Sequence, residues 1–194
     1  MAKEIETYIS KKSTHFQLIE ADRSYINNIL SLQKEIVDSL PDKSWFCPIS
    51  CSELMDSIGN DNVYIVLCNG ELASFAILVN NRKSERNLFF TNNNIATSYK
   101  NVMTAEVIVV KPKYRGNNIQ SWLFSHMTKI AQTTPNITTL SGTVCPENNY
   151  SLKNFLKNNF LIYEENLSLY GGYKRNLMVK KLKQINIDKA TLKD

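Results

Sequence analysis

The sequence contains no long apolar stretch: none of its hydrophobic runs approaches the roughly 20 residues that a membrane-spanning helix requires. The N-terminal segment MAKEIETYISKKSTHFQLIE also lacks a continuous apolar core, which argues against a secretory signal peptide. Internal repeats and low-complexity linkers are absent as well. For 194 residues we therefore expect a single cytoplasmic domain with no membrane partner, in which residues 15–182 form the core and residues 183–194 a polar tail.

Cysteine and histidine are scarce. The chain has four cysteines: Cys47, Cys51, Cys68 and Cys145. They lack the spacing of a disulfide framework, and no second pair of Cys or His follows the first two at zinc-site spacing. We predict that all four thiols are reduced and mostly buried, and that the protein has no metal site. The only histidines are His15, on a predicted strand, and His126, within a predicted helix; we expect packing or solvent-facing roles for them.

The chain carries both positive and negative side chains, with a small excess of positive charge. The 23 Lys and Arg residues exceed the 18 Asp and Glu residues, and the net charge of +5 suits an anionic ligand. A domain that binds RNA through the cations of residues 111–115 and of the C-terminal tail is one alternative. No RNA-binding motif is present, however, and the excess charge is diffuse, so we expect no nucleic-acid partner.

The apolar pattern predicts alternating strands and helices. Asn69 and Gly70 lie between two apolar runs, which is the pattern of a tight β-hairpin. Pro41 ends a helical periodicity, and Gly171 with Gly172 marks a turn or bulge between two closing strands. The predicted elements are a strand at residues 15–20, helices at 21–40 and 50–58, the hairpin at 63–80, a polar loop at 81–101, a strand at 102–110, a helix to about residue 132, a strand at 136–144, a helix at 149–159 and two strands within 160–182. Their order, β α α β β β α β α β β, predicts a mixed α/β sheet.

The segment VVKPKYRGNNIQ joins the predicted strand at 102–110 to the helix that follows. Such a junction aims several backbone amides at one point, where the helix N-terminus adds a partial positive charge. Gly116, Asn117 and Asn118 are residue types that tolerate a left-handed backbone, and Lys111, Lys113 and Arg115 add positive field. The turn lacks the ending of a Walker loop and the glycines of a dinucleotide fingerprint. It predicts a phosphate site, with a simple polar turn as the alternative.

A second segment, PENNYSLKNFLKNNF, follows the next predicted strand by a Pro-Glu-Asn turn and continues as a helix ending in Asn-Asn-Phe. The two segments, in this order and at this spacing, resemble motifs A and B of the GNAT acetyltransferase superfamily. The resemblance covers residues 15–182 and is more specific in the second half. It implies a single-domain α/β acyl-CoA N-acyltransferase fold, with a mixed central sheet, helices on both faces and a splayed pair of strands for the cofactor.

The resemblance also implies acetyl-CoA as cosubstrate. It assigns the pantetheine arm to the backbone of the first strand, the pyrophosphate to the turn and the start of its helix, and further cofactor contacts to the second motif. The corresponding residues are, in that order, Ile108, Val109 and Val110; Arg115, Gly116, Asn117, Asn118, Ile119, Gln120 and Ser121; and Asn148 and Ser151.

The sequence departs from the family pattern at four positions. Asn118 and Gln120 stand at two glycine positions of motif A; Gln120 either hydrogen-bonds the phosphate or crowds it. Asn159 replaces the glycine at the end of the motif B helix. Phe155 stands where many members have a tyrosine that protonates the departing thiolate. We name Tyr150 as the candidate acid, with Tyr163 as the alternative and aromatic packing as the competing role for both.

Glu106 is the candidate general base, because the resemblance places an acidic residue on this strand. The alternative is that its side chain faces an open groove or pairs with a cation. The acceptor is expected to be a primary amine on a small molecule or a peptide, bound by the first two helices, the loop with Trp45 and Phe46, and the 81–101 loop. Arg175 is either a surface cation, which we expect, or a ligand for a substrate carboxylate.

Two functions remain at this stage. One is an acetyl-CoA-dependent N-acetyltransferase, a monomer or homodimer that acts by direct attack in a ternary complex. The other is a protein of the same fold that binds acetyl-CoA or CoA without turnover, as a sensor or assembly partner. Phe155 is the residue that favours the second.

Overall fold

The computed structural model describes residues 4–82, 86, 88–91 and 98–183. The strands are β1 (Glu4–Ile9), β2 (His15–Glu20), β3 (Asn62–Cys68), β4 (Glu71–Val79), β5 (Val102–Val110), β6 (Thr139–Val144), β7 (Leu161–Leu169) and β8 (Tyr173–Lys181). The helices are α1 (Ile26–Ser39), α2 (Cys51–Asn60), α3 (Leu88–Thr91), α4 (Ile119–Thr133) and α5 (Asn149–Lys157). Within the described residues we find no helix with the length and apolarity that crossing a bilayer requires.

The eight strands form one sheet in the order β1-β2-β3-β4-β5-β6-β8-β7. All neighbours are antiparallel except β5 and β6, which run parallel because α4 connects them across the sheet. The predicted mixed α/β sheet is confirmed. The sequence did not predict β1, which pairs with β2 at the edge of the sheet. This strand is largely exposed, and its apolar residues Ile5, Tyr8 and Ile9 do not alternate with polar ones, so no regular apolar face indicated it.

Helices cover both faces of the sheet, as predicted. One core lies under α4 and includes Phe16, Met103 and Phe124. The other lies under α1 and α2 and includes Ile29 and Leu54. The helices α1, α2, α4 and α5 each contribute their apolar side to one of these cores, and the strands between them contribute alternate residues to the two.

A β-bulge interrupts the alternation in β5. Ala105 pairs with Leu78 and Val107 pairs with Ile77, so that Glu106 is the extra residue. Before the bulge, Met103 and Ala105 belong to the core under α4; after it, Val107 belongs to the core under α1 and α2. The bulge therefore reverses which residues of β5 face α4.

Several turn predictions are confirmed and others are corrected. Asn69, Gly70, Gly171 and Gly172 all have positive φ in the two hairpin turns. The 81–101 segment is not simply a polar loop: α3 lies within it, and Phe89 of α3 packs on a small cluster around β8. The rest of that loop and the predicted tail lie largely outside the described residues. All four cysteines are free, but only two are buried, whereas Cys47 is half-buried and Cys51 is exposed.

Candidate functional site

The parallel strands β5 and β6 separate part of the way along. Their pairing ends at Ala105 and Gly142, while β5 continues to Val110 and β6 to Val144. This is the predicted splayed pair. On the other side of β5, the Val109 carbonyl accepts from the Ser74 hydroxyl at 2.6 Å and the Lys111 amide donates to the Ala73 carbonyl at 2.8 Å.

Alternation along a strand then decides which backbone groups face the gap. Because Val109 and Lys111 direct their backbone polar groups toward β4, those of Ile108 and Val110 point into the gap between β5 and β6. Of the three residues expected to pair with the pantetheine arm, Ile108 and Val110 have the required orientation. The expectation for Val109 is corrected, since its carbonyl is already occupied on the opposite side.

The gap opens into a cleft of about 840 Å³. The cleft runs from the turn before α4, past the first turns of α5, to the loop that carries Trp45 and Phe46, and Arg175 lines it. Most of the predicted site residues line it together: Glu106, Ile108, Val109, Val110, Arg115, Gly116, Asn118, Ile119, Gln120, Asn148, Tyr150 and Ser151. Asn117 and Ser121 do not. Asn117 is buried beneath the turn, where its amide donates to the Tyr114 carbonyl at 3.0 Å.

The turn before α4 has the geometry of an anion site. Gly116 has φ of 78° and Asn118, the N-cap of α4, has φ of 62°, so both adopt the left-handed backbone that their residue types predicted. The first α4 amide with an internal acceptor is that of Trp122, which donates to the Asn118 carbonyl at 3.1 Å. Within the described part of the chain, no backbone amide of residues 116–121 has an acceptor. These free donors meet at the positive end of a helix.

The cations around the turn differ from the expected set. Lys111 forms ion pairs with Glu35 at 3.0 Å and Glu71 at 2.9 Å, and Lys113 pairs with Glu71. Both lysines are thus already neutralised, and the expectation that they add field is corrected. Arg115 has no carboxylate partner among the described residues and makes only a 3.4 Å contact from Nε to the Val110 carbonyl.

Two further lysines lie at the turn, and sequence reasoning missed both. Lys12 Nζ is 3.8 Å from the position that a Cβ on Gly116 would occupy. Lys157 Nζ donates to Asn118 Oδ1 at 3.3 Å. Lys12 comes from the turn after β1 and Lys157 from the end of α5, so only the assembled fold brings them to the turn.

The polar residues at the glycine positions connect α4 to α5. Asn154 donates to Gln120 Oε1 at 2.8 Å, and Asn158 donates to the Ser121 hydroxyl at 3.1 Å. The Gln120 amide side chain is therefore held by α5, a role that neither sequence-level alternative had included. Asn159 has φ of 64° after the end of α5, as expected for a residue in place of glycine.

The second motif caps and packs α5. Asn148 is its N-cap, and its Oδ1 accepts from the Ser151 amide at 3.2 Å. Phe155 is buried, with its ring centroid 4.7 Å from that of Phe124. A Cβ added to Gly142 would lie 2.9 Å from the Phe155 ring, so the ring occupies the space above the last paired residue of β6.

Glu106, the bulge residue, has a side chain that is 12% exposed. Arg86 binds both of its carboxylate oxygens, with 2.8 Å between Arg86 Nε and Glu106 Oε1. Arg86 also donates to the Glu53 carbonyl of α2 at 3.2 Å. Burial raises the pKa of Glu106, and the Arg86 guanidinium opposes that rise. The carboxylate therefore lines the cleft and also pairs with a cation, as the non-catalytic alternative expected, while its role as general base stays a prediction.

Tyr114 and Tyr150 line the cleft, and Tyr170 lies beside it. Tyr150 is 82% exposed at its rim, in the first turn of α5, whereas Tyr163 lies on the edge strand β7 and does not line the cleft. Tyr170, which sequence reasoning passed over as part of a turn, places its hydroxyl 3.2 Å from Oγ1 of the cleft residue Thr143. Burial raises the pKa of the Tyr170 hydroxyl. His126 is buried against Tyr64, away from the cleft, which confirms a packing role.

Arg175 is not the surface cation that we expected: it is only 4% exposed. It donates to the Lys174 carbonyl at 2.8 Å, to the Ser44 carbonyl at 2.7 Å and to Cys47 Sγ at 3.1 Å. Its guanidinium also lies 5.6 Å from the ring centroids of Tyr170 and Tyr173. No carboxylate in the described part of the chain pairs with it.

Comparison with known proteins shows similarity in fold. No protein-family model matches the chain, and no curated protein matches it in sequence. A GNAT acetyltransferase from Streptococcus pneumoniae is 16% identical, with a TM-score of 0.65 over 87% of this chain and 99% of that one. The ribosomal L7/L12 α-N-protein acetyltransferase RimL, in complex with coenzyme A, is 15% identical, with a TM-score of 0.64 over 93% and 98%.

A third solved structure extends the comparison. It is a putative acetyltransferase from Salmonella typhimurium with its cofactor acetyl-CoA, 12% identical, with a TM-score of 0.64 over 88% of this chain and 95% of that one. These neighbours match nearly their whole length to this chain, including the sheet in which the gap lies. The chain therefore has the fold of the GNAT acetyltransferase superfamily.

Proposed function

We propose that the protein is an acetyl-CoA-dependent N-acetyltransferase that acts on a primary amine. The observation that carries the proposal is the row of unpaired amides at residues 116–121, at the mouth of a gap between two parallel strands. A pyrophosphate accepts hydrogen bonds from such a row, and a pantetheine arm pairs with the strand backbone that the gap leaves free. Arg115, Lys12 and Lys157 add positive charge around the same turn.

The reaction requires the acceptor amine to be neutral before it attacks the acetyl carbonyl. The nitrogen forms a bond to the carbonyl carbon, the carbon–sulfur bond breaks, and the amine loses one proton. Glu106 is the proposed acceptor of that proton. Its raised pKa makes it a stronger base than an exposed carboxylate, and Arg86 fixes its position on the cleft wall.

Departure of the CoA thiolate depends less on general-acid catalysis. A thiol has a pKa near 8.5, so the CoA thiolate is a competent leaving group without an acid. Tyr150 at the rim of the cleft is the proposed donor to it, because the buried Phe155 has no proton to give. Loss of the Tyr150 hydroxyl should therefore slow turnover without abolishing it.

Thermal stability with and without acetyl-CoA tests the cofactor half of the proposal. A ligand that binds with micromolar Kd at millimolar concentration stabilises the native state by about 4 kcal/mol. For a chain of this size we expect Tm to rise by roughly 10 °C with acetyl-CoA or CoA, and little with ATP. Arg115→Gln should weaken binding about 10- to 100-fold, because a charge-assisted hydrogen bond contributes about 1.5–3 kcal/mol. Lys113→Gln, at a cation already paired with Glu71, is the matched control and should leave affinity unchanged.

Release of CoA thiol with a panel of amines tests the other half. Amine-dependent release that falls in Glu106→Gln supports an enzyme that uses this base. Normal turnover in that variant would remove Glu106 from its role. Binding of acetyl-CoA with no turnover on any amine would favour the alternative, a protein that binds the cofactor as a sensor or assembly partner, and no Tm shift with acetyl-CoA or CoA would overturn both.

A further inference from the structure

Where the cleft meets the loop at residues 44–47, it contains a buried guanidinium that forms no ion pair with a described carboxylate. Arg175 is 4% exposed and lines the cleft, yet its partners are two carbonyls, one thiol and two aromatic rings. A buried guanidinium loses its hydration, and it normally recovers that loss by pairing with a carboxylate or phosphate. None of the described carboxylates does so here.

Glu106, the other charged residue on this wall, already has a cationic partner. Arg86 binds both of its carboxylate oxygens and also lies 3.8 Å from Asp61 and 4.0 Å from Asp56. Arg175 has no such partner among the described carboxylates. A substrate carboxylate that enters this end of the cleft would supply the anion that Arg175 lacks.

We propose that the acceptor is a small amine that also carries a carboxylate, and that Arg175 binds the carboxylate. This inference rests on the proposed acetyltransferase function and narrows its substrate class. An amino-acid-like molecule satisfies both charged features at once: its carboxylate offsets Arg175, and its amine lies toward Glu106.

Tyr170 connects the two features. Its ring lies 5.6 Å from the Arg175 guanidinium, and its hydroxyl contacts Thr143 on the cleft wall. Glu106 raises the Tyr170 pKa and Arg175 lowers it, after the larger effect of burial. Gly142, the neighbour of Thr143, pairs with Ala105, the neighbour of Glu106, so both charged residues lie near this end of the gap.

Burial of the guanidinium also limits the size of the ligand. At 4% exposure it leaves little surface for a ligand, and the loop at residues 44–47, whose Ser44 carbonyl it binds, covers part of it. A small terminal carboxylate fits that limit better than a bulky group. The flat aromatic walls, Trp45 and Phe46, suit a compact or apolar side chain next to it.

The test compares each amine with and without its carboxylate. Free amino acids, the corresponding amino-acid amides and amidated tripeptides with acidic side chains are assayed by CoA thiol release. We expect kcat/KM to be at least about tenfold higher for a free amino acid than for its amide. In Arg175→Gln that preference should disappear, with the amino acid losing about 10- to 100-fold and the amide changing little. Arg175→Lys should restore part of the preference because it restores the charge.

Four results would overturn the inference. The first is an equal kcat/KM for free amino acids and their amides in the unmodified protein, and the second is an equal loss of kcat/KM for both in Arg175→Gln, which would mean that Arg175 only anchors the loop. The third is a higher kcat/KM for the acidic peptides than for the free amino acids. The fourth is no turnover of any of these amines while acetyl-CoA still raises Tm. The last would leave the cofactor proposal standing; absence of the Tm shift would remove that proposal first. If Arg175→Gln does not fold, the comparison of amino acids with amides in the unmodified protein decides alone.

Discussion

Glu71 fixes the base of the phosphate turn through three side chains. It accepts from Lys113, from Lys111 at 2.9 Å and from the Tyr114 hydroxyl at 2.7 Å. These contacts, with Lys113 the largest, lower the pKa of Glu71 to about 2. A carboxyl with a lowered pKa stabilises the fold above its unfolded pKa of about 4.3, and that contribution is lost as the pH falls through the folded pKa.

The pH dependence of Glu71→Gln checks this. We expect the unmodified protein to be more stable than the variant above about pH 4.5, and the difference to close as the pH falls toward 2. Urea unfolding across this range measures the difference, and carboxyl NMR of Glu71 locates its midpoint. The double change Lys111→Gln and Lys113→Gln should move the midpoint upward. A Glu71 midpoint near 4.3 in the unmodified protein would show that the ion pairs do not persist in solution.

At the residue scale, local backbone needs were predictable and distant partners were not. Asn118 in a left-handed conformation follows from residue type and position at a helix start. The pairing of Lys111 with Glu35 and Glu71 depends on which strands and helices become neighbours, and neither residue is near it in the sequence. Arg175 was misjudged for the same reason, because its burial comes from the 44–47 loop.

Gly142 controls how β6 meets both β5 and α5. A Cβ there would lie 2.9 Å from the Phe155 ring and 3.0 Å from the Ala105 carbonyl oxygen. We expect Gly142→Ala to destabilise the protein by about 1–3 kcal/mol, since a buried ring and a strand must both shift. The affinity for acetyl-CoA should fall as well, because the displaced carbonyl lies where the two strands separate.

Gly59→Ala is the control for this change. Gly59 lies in α2 with nothing within 4 Å of the added Cβ, and alanine there should be neutral or stabilising by up to about 1 kcal/mol. Urea unfolding and acetyl-CoA titration compare the two variants. Equal stability of both would mean that the Phe155 ring has room that the structure does not show.

At the element scale, amphipathic periodicity was sufficient for α1, α2, α4 and α5 and for every strand with a buried face. It failed where that signal is absent, at β1 and α3. The separation of β5 from β6 was predictable only because two segments resemble motifs A and B of the GNAT superfamily. The bulge at Glu106 has no local sequence signal beyond a charged residue in an apolar strand.

At the scale of the whole molecule, β1 is attached to the helix that bears the phosphate turn. Trp122 of α4 donates to Glu6 Oε1 at 3.0 Å, and its ring stacks on Tyr8 with centroids 5.0 Å apart. Glu6→Ala leaves the indole donor without its partner, so we expect a loss of about 1–2 kcal/mol in stability. Glu4→Ala is the matched control on the same strand, where the carboxylate accepts, among the described residues, from the exposed Gln17 alone, and it should cost less than about 0.5 kcal/mol.

Urea unfolding measures the difference in stability between these two variants. The rise in Tm that acetyl-CoA causes in each of them shows whether loss of the Glu6 contact also weakens binding at the phosphate turn. A smaller increment in Glu6→Ala than in Glu4→Ala is the expected result. Equal losses of stability in both would indicate that β1 contributes through backbone pairing alone. No sequence pattern indicated this attachment, because it joins residues 116 positions apart.

Docking of β1 and binding of a ligand at the phosphate turn are thermodynamically linked. If docking of the edge strand on α4 favours the arrangement that binds a ligand at residues 116–121, then the ligand must favour docking of the strand by the same free energy. The cofactor would therefore act as a partner of residues 4–9, which it does not touch, and β1 would fray less in the complex than in the free protein.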